Sequence, residues 1–433
     1  MTVKRITTII LGAIVLLPLF VQAGYAADIA AVKEEESAMS IASPESKRES
    51  REKSGRKSSF ASTWWADDLK VIPSVSIKES FNDNVYFTTT NRKSDWISIV
   101  SPGLELIRKT ERIDAGISAR FNGIYYIDQH ELNSVDQFYR GKLRYALTEK
   151  LALGADAGFA RDSQATREID TTGIIFPIAV IRERKNFGLT GDWRINETTA
   201  AGMSYSYGKD RYDSVSFTNL ESQVVGLNFT NYFNERTQGR VNFGYANYNM
   251  ADSIEIADNY SGTIGVSRDF SNIWSVQIDT GTVYTHTSIH ALPQDITSEG
   301  WGPMGQLTVA GKYEMTNLNL TLSRSVMPVS GTTGAANRTS LAFDIRHRFT
   351  YELSGYLTAS YFINKSDPGQ FSTAGIDQKT IQISMGPRYN FDKDMYLMAT
   401  YTYSRVDYGQ TNNTYADQHL VMLTFNIQHT FWE

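Results

Sequence analysis

The sequence predicts an all-β fold: a transmembrane, antiparallel, up-and-down β-barrel of about 18 strands, or about 16 if one segment is split wrongly. Three observations predict it. Period-two alternation of apolar and polar residues persists from Val71 to the C-terminus. Charged residues occupy the faces opposite the apolar ones, and short connections alternate with long ones.

Composition excludes several other classes. Hydrophobic residues make up 41% of the 433, yet there are 24 Tyr, 21 Phe and 31 Gly, a mixture suited to alternating strands rather than a deep core. A net charge of −5 is too mild for a nucleic-acid binder. The absence of cysteine excludes disulfides, thiolate metal sites and cysteine catalysis.

The elements are expected in three parts. Lys4 and Arg5 precede "ITTIILGAIVLLPLFV" and then "QAGYAAD", a basic start, an apolar stretch and small residues that make 1–27 a secretory signal peptide. Pro18 and the alanines favour cleavage over a retained anchor. Residues 28–70 follow as a solvated periplasmic leader rich in Ser, Lys, Arg and Glu. Its cations Arg48, Arg51, Lys53, Arg56 and Lys57 can touch anionic lipid or a polymer, and Trp64–Trp65 suits a membrane interface. Residues 71–433 form the barrel.

Its strands read clearly. "RIDAGISARFNGIYYI" sets Ile113, Ala115, Ile117, Ala119, Phe121, Tyr125 and Ile127 against Asp114, Gly116, Ser118, Arg120 and Asn122. "SLAFDIRHRF" sets Leu341, Phe343, Ile345 and Phe349 against Asp344, Arg346 and Arg348. The final "HLVMLTFNIQHTFWE" puts Val421, Leu423, Phe425, Ile427 and Phe431 on one face, resembling the terminal strand read by the barrel assembly machinery. Short turns such as "KTERI", "LTEKL" and "FTYEL" alternate with long polar loops at 81–94, 161–176, 285–300, 326–338, 364–376 and 407–417. An even strand count returns both ends to the periplasm.

The charges decide which face points inward. Burying unpaired ions in a dry core costs several kcal/mol each, whereas a wet lumen accepts them. The candidate lumen-lining residues are Arg120, Lys142, Arg144, Arg182, Arg184, Asp192, Asp279, Asp344, Arg346, Arg348 and Arg388. Clustered, the cations would concentrate acidic or phosphorylated solutes. The alternative is a mixed-charge wall balanced by Asp114, Asp156, Asp192, Asp279, Glu314 and Asp344. Inward Tyr126 and Tyr356 are candidates to stack on sugar rings.

Catalytic signals are weak. The six histidines, His130, His286, His290, His347, His419 and His429, sit in no GxSxG, HExxH or P-loop context. His286 and His290, with Ser288 and Asp295, flank a predicted long loop and define the weaker hydrolase or metal reading. "FNDNVYF" lacks the ligand spacing of a calcium loop. No enzyme, cofactor or metal is expected.

The segment "VIPSVSIKESFNDNVYFTTTNRKSDWISIVSPGLEL", residues 71–106, resembles the opening of an outer-membrane β-barrel porin family whose members are associated with exopolysaccharide biosynthesis and export. The resemblance rests on Pro73, Asp83–Asn84, Ser94–Asp95 and Ser101–Pro102–Gly103. It implies a bacterial outer-membrane pore for polar solutes or polysaccharide, surrounded by outer-membrane lipid and lipopolysaccharide, with polysaccharide export components as partners. No site residues carry over from it. Read from the residues alone, Asn82–Asp83–Asn84 form a turn and Pro102 predicts a bulge or bend. A scaffold barrel plugged by its loops or leader is the rival reading, and sequence leaves the oligomeric state open.

Overall fold

A computed structural model describes residues 69–164, 169–175, 180–250, 254–290, 295–328, 335–366, 376–409 and 415–431. The expected signal peptide, the leader up to residue 68 and Trp64–Trp65 lie outside them. The strands are β1 Leu69–Asn82, β2 Asp95–Lys109, β3 Ile113–Tyr126, β4 Ser134–Ala146, β5 Leu151–Asp162 and β6 Arg182–Arg194. Next come β7 Thr199–Tyr212, β8 Leu220–Asn234, β9 Thr237–Met250, β10 Glu255–Asp269, β11 Trp274–Ile289 and β12 Ile296–Lys312. The last are β13 Thr316–Pro328, β14 Ala335–Arg348, β15 Leu353–Ser366, β16 Ile376–Asn390, β17 Met395–Tyr408 and β18 Tyr415–Gln428. One turn of helix, α1 (Ile169–Thr172), lies between β5 and β6. No helix among the described residues is long and apolar enough to cross a membrane; the strands do the crossing.

All 18 strands form one sheet, each antiparallel to its chain neighbours, and β1 pairs with both β2 and β18. The seam runs from Ser74↔Gln428 to Asn82↔Leu420. Reciprocal backbone bonds between Val71 and Phe431, at 3.3 and 2.9 Å, extend it toward the periplasm. The ring is closed, so no strand presents a free edge to hydrocarbon.

The direction of the greasy face follows from exposure. On β18, Val421, Leu423 and Ile427 are 55%, 48% and 43% exposed, whereas Thr424 between them is 2% exposed. Directly paired residues share a face, so the registers carry this assignment round the ring. Leu341, Phe343 and Ile345 fall on the outer set; Asp344, Arg346 and Arg348 fall on the inner one. Aromatic pairs mark the outer rim, with Phe81 against Trp96 at 5.4 Å and Tyr284 against Trp301 at 5.1 Å. Trp193, Phe270, Phe349 and Phe391 lie exposed near the periplasmic turns. Two aromatic girdles around an apolar band define a barrel held in a bilayer.

Three local expectations fail. Pro102 makes no bulge: the β2–β3 register is the same before and after it, Val100↔Gly123 and Gly103↔Arg120, and only the pairs of Ser101 and Pro102 to β3 are missing. The strands also run past the expected loop boundaries. β11 reaches Ile289 and β12 starts at Ile296, because hairpin pairing continues into water, where alternation no longer marks it. Glu314 is exposed in the Tyr313–Thr316 turn and belongs to no wall.

Neighbouring residues on β14 should respond oppositely to the same charge. Leu341→Arg, on the lipid face near mid-strand, is expected to cost about 2–4 kcal/mol. Ala342→Arg, facing the lumen, should cost under about 1 kcal/mol by the same depth rule. Denaturant unfolding in phospholipid vesicles measures both.

Candidate functional site in the barrel lumen

All eleven candidate residues lie on the inner face by register. They form three groups, of which two are neutralised. Arg182 and Arg184 stand at the extracellular root of the β5–β6 connection. Arg182 reaches Asp162 at 2.6 Å with only 1% of its side chain exposed, and Arg184 grips both oxygens of Asp210 at 2.7 and 2.6 Å. These buried pairs hold the ends of the connection together instead of presenting free charge.

The second group is a mixed wall from β3 to β11. Arg144 meets Asp192 at 3.1 Å across β5. Arg240, which the sequence did not single out, grips Asp279 at 3.1 and 2.9 Å. That contact crosses β10 over Gly265, where an added Cβ would lie 1.9 Å from the Asp279 oxygen. Lys142 stands directly opposite Asp156, and the Arg120 guanidinium lies 5.4 Å from the Phe138 ring centre.

The third group is one-sided. From β14 through the seam to β1, the inner face carries Arg338, Arg346, Arg348, Arg388, Lys70 and Lys78, with Asp344 the sole carboxylate among the described residues. Arg346 lies 3.5 Å from Asp344. Arg388 stacks 3.8 Å from the Tyr396 ring centre and donates to Asn390 at 2.9 Å, so neither contact cancels its charge. Arg338, near the mouth, donates to Asn364 at 2.8 Å. The remaining wall mixes hydroxyl and amide groups, Ser360, Gln382, Ser384, Thr402, Ser404 and Asn426, with inward Met398, Leu420 and Met422. Tyr356 hydrogen-bonds Thr400 at 2.7 Å, while Tyr126 packs against an apolar cluster of Val85, Ile97 and Ile124.

Above this wall lies a feature that the sequence reading missed. The β5–β6 connection crosses the mouth and docks on strands about half the ring away. Ile169 and Ile175 pack with Phe87 from the first loop against Val406 of β17 and Ala416 of β18. Ile174 packs with Ala336 of β14 and Phe217 of the β7–β8 loop, and Phe217 stacks on Tyr212 at 5.4 Å. Polar anchors fix the backbone: Asn364 Nδ2 donates to the Thr172 carbonyl at 3.0 Å, and the Thr380 hydroxyl donates to that of Gly173. Gly173 has φ +68°, and a Cβ there would lie 2.3 Å from Phe362. Beside the clamp, burial and a hydrogen bond to Glu131 push the Tyr86 hydroxyl up to about 12, so it stays a donor at neutral pH. The available signal was "GIIFPIAVI", residues 173–181, an apolar run inside an expected polar loop.

The hydrolase constellation assembles only in part, and with a different acid. His286 and Ser288 sit on β11 rather than in a loop and face outward; Ser288 Oγ lies 3.3 Å from His286 Nε2, and His286 Nδ1 lies 3.0 Å from Glu299. His290 pairs separately with Asp295 at 3.2 Å. No cluster of three potential metal ligands occurs among the described residues.

A closed ring of antiparallel strands, apolar outside, charged inside and narrowed by its own connection, defines a β-barrel membrane protein of the bacterial outer-membrane type. No family model and no curated protein matches the chain. Among solved structures it is similar to OccAB4 of Acinetobacter baumannii at 12% identity, covering 85% of this chain and 99% of that one, with a TM-score of 0.48. It is also similar to the outer membrane protein opdK from Pseudomonas aeruginosa, at 10% identity, 85% and 100% coverage and TM-score 0.46. The ferric citrate transporter FecA aligns at 9% identity, 84% and 79% coverage and TM-score 0.45. The barrel itself is established by the strand pairing.

Gly173→Val should undock the crossing segment, since both its φ and its contact with Phe362 exclude a branched side chain. The expected result is faster limited proteolysis between Asp162 and Arg182, with the barrel's heat-modifiable migration on gels retained.

Proposed function

We propose that this chain is a passive outer-membrane pore for small polar solutes, favouring anions, with its extracellular mouth narrowed by the β5–β6 segment. The observation that carries the reading is the one-sided inner wall from β14 to β1, six cations facing one carboxylate. Opposite it, cations and carboxylates neutralise one another in pairs. The result is a transverse field that concentrates and orients an anion passing below the crossing segment.

The same segment favours a second reading, a barrel whose lumen is stoppered and which works through partners. It also bears on exopolysaccharide, the cargo implied by the family resemblance. A hydrated polymer strand needs the mouth cleared, so polymer export requires Ile169–Ile175 to leave their seats on β14–β18.

Planar-bilayer recording separates these readings. The folded wild type should conduct, with a reversal potential under a salt gradient that favours anions. Replacing Arg346, Arg348 and Arg388 by Gln should shift that potential toward cations. A silent wild type that conducts only as Gly173→Val would establish the stopper. Silence in both would remove the pore.

A further inference from the structure

The outer surface carries a polar feature that conduction does not use. On the extracellular halves of β5–β8, two rows of outward-facing residues carry charge above an apolar belt. One row runs Arg161, Glu183, Arg211 across β5, β6 and β7. The row one step nearer the bilayer runs Phe159, Lys185, Lys209, Glu221 across β5 to β8. The next step down is Ala157, Phe187, Tyr207, Gln223. Together Phe159, Phe187 and Tyr207 with Tyr139 make a local aromatic girdle; Tyr139 and Phe159 lie 6.0 Å apart. A step of two residues is about 7 Å along a strand. The cations therefore sit immediately above the girdle, at headgroup depth on the long-loop side of the membrane.

Several outward carboxylates at this level are satisfied by the wall itself. Asp258 accepts from Tyr245 and Asn247, both at 2.8 Å. Glu299 accepts from Tyr284 at 2.6 Å and contacts His286 at 3.0 Å. Glu79 accepts from Ser98 at 2.7 Å, and Glu221 takes Lys209 at 2.5 Å. The cations are treated differently. Arg161, Lys185 and Arg211 make no side-chain hydrogen bond or ion pair among the described residues, even with Glu183 in the row between the two arginines. Across the two rows Arg161, Lys185, Lys209 and Arg211 face only Glu183 and Glu221, a net positive patch at headgroup depth that is matched to an anion supplied from outside the protein.

We propose that Arg161, Lys185 and Arg211 form a binding site for the phosphorylated headgroup of an outer-leaflet glycolipid. The acyl chains would lie on the Phe159–Phe187–Tyr207 girdle and the phosphates would bridge the three cations. Guanidinium groups suit this role because they bind phosphate through paired, charge-assisted hydrogen bonds. The site is independent of whether the lumen conducts.

The test is native mass spectrometry of the detergent-solubilised barrel titrated with bisphosphorylated lipid A and, in parallel, with dephosphorylated lipid A. The wild type should bind the phosphorylated form at least about tenfold more tightly, the scale of one charge-assisted contact. Replacing Arg161, Lys185 and Arg211 together by Gln should abolish that preference, whereas the lumen control Arg346→Gln with Arg348→Gln should keep it. Heat-modifiable migration verifies folding, and Lys185→Gln alone gives a partial loss if the triple variant does not fold. Equal binding of the two lipids by the wild type, or an undiminished preference in a folded triple variant, overturns the assignment.

Discussion

Every peptide group inside a bilayer must find its hydrogen-bond partner within the protein, because hydrocarbon offers none. In this chain that demand is met by the pairing of the first strand with the last, sealed by the Val71–Phe431 bonds. Without that seam, the nine registered residues of β1 and the nine of β18 would lose their partners and leave two open edges. Closure in turn sets the rest. It commits one face of every strand to oil and the other to an enclosed aqueous space, and it lets arginine and aspartate line the interior of a 433-residue chain that has no large core.

Within that space the protein spends its polarity unevenly. One side pairs its charges locally, as in Arg240–Asp279 and Arg144–Asp192, and is close to neutral. The other keeps Arg346, Arg348 and Arg388 nearly unopposed. At the mouth a third arrangement takes over, a small apolar island of Phe87, Ile169, Ile175, Val406 and Ala416 in otherwise wet surroundings. Such an island holds a crossing segment because burying its side chains releases water, while Asn364 and Thr380 accommodate the backbone carbonyls that burial would otherwise strand.

Strand number, facing and the inner position of residues such as Arg346 and Asp279 were readable because a two-residue period leaves only two faces, and charge decides between them. The reading weakened where the environment stopped discriminating. Above the membrane both faces of β11 and β12 are wet, so His286 was assigned to a loop although it lies on a strand. Pro102 predicted a bulge, but proline forfeits only its own donor, and the ladder to β1 on the other side holds the register. The crossing segment was missed for a different reason. Its partners, Phe362, Val406 and Ala416, lie some two hundred residues away in the chain, and nothing local in "GIIFPIAVI" names them. The uncapped Arg161, Lys185 and Arg211 were equally invisible, since only the registers show that they share a patch.

The position of the crossing segment in the chain has a temporal consequence. Ile169, Ile174 and Ile175 follow the fifth strand, yet their seats are on β14, β17 and β18, about half the ring away and within reach only once the sheet has curled round. Until the circle shuts, those side chains have nowhere to rest and the opening stays wide. Narrowing is therefore a signal of completion: an unfinished ring gapes, and a finished one draws in its own throat.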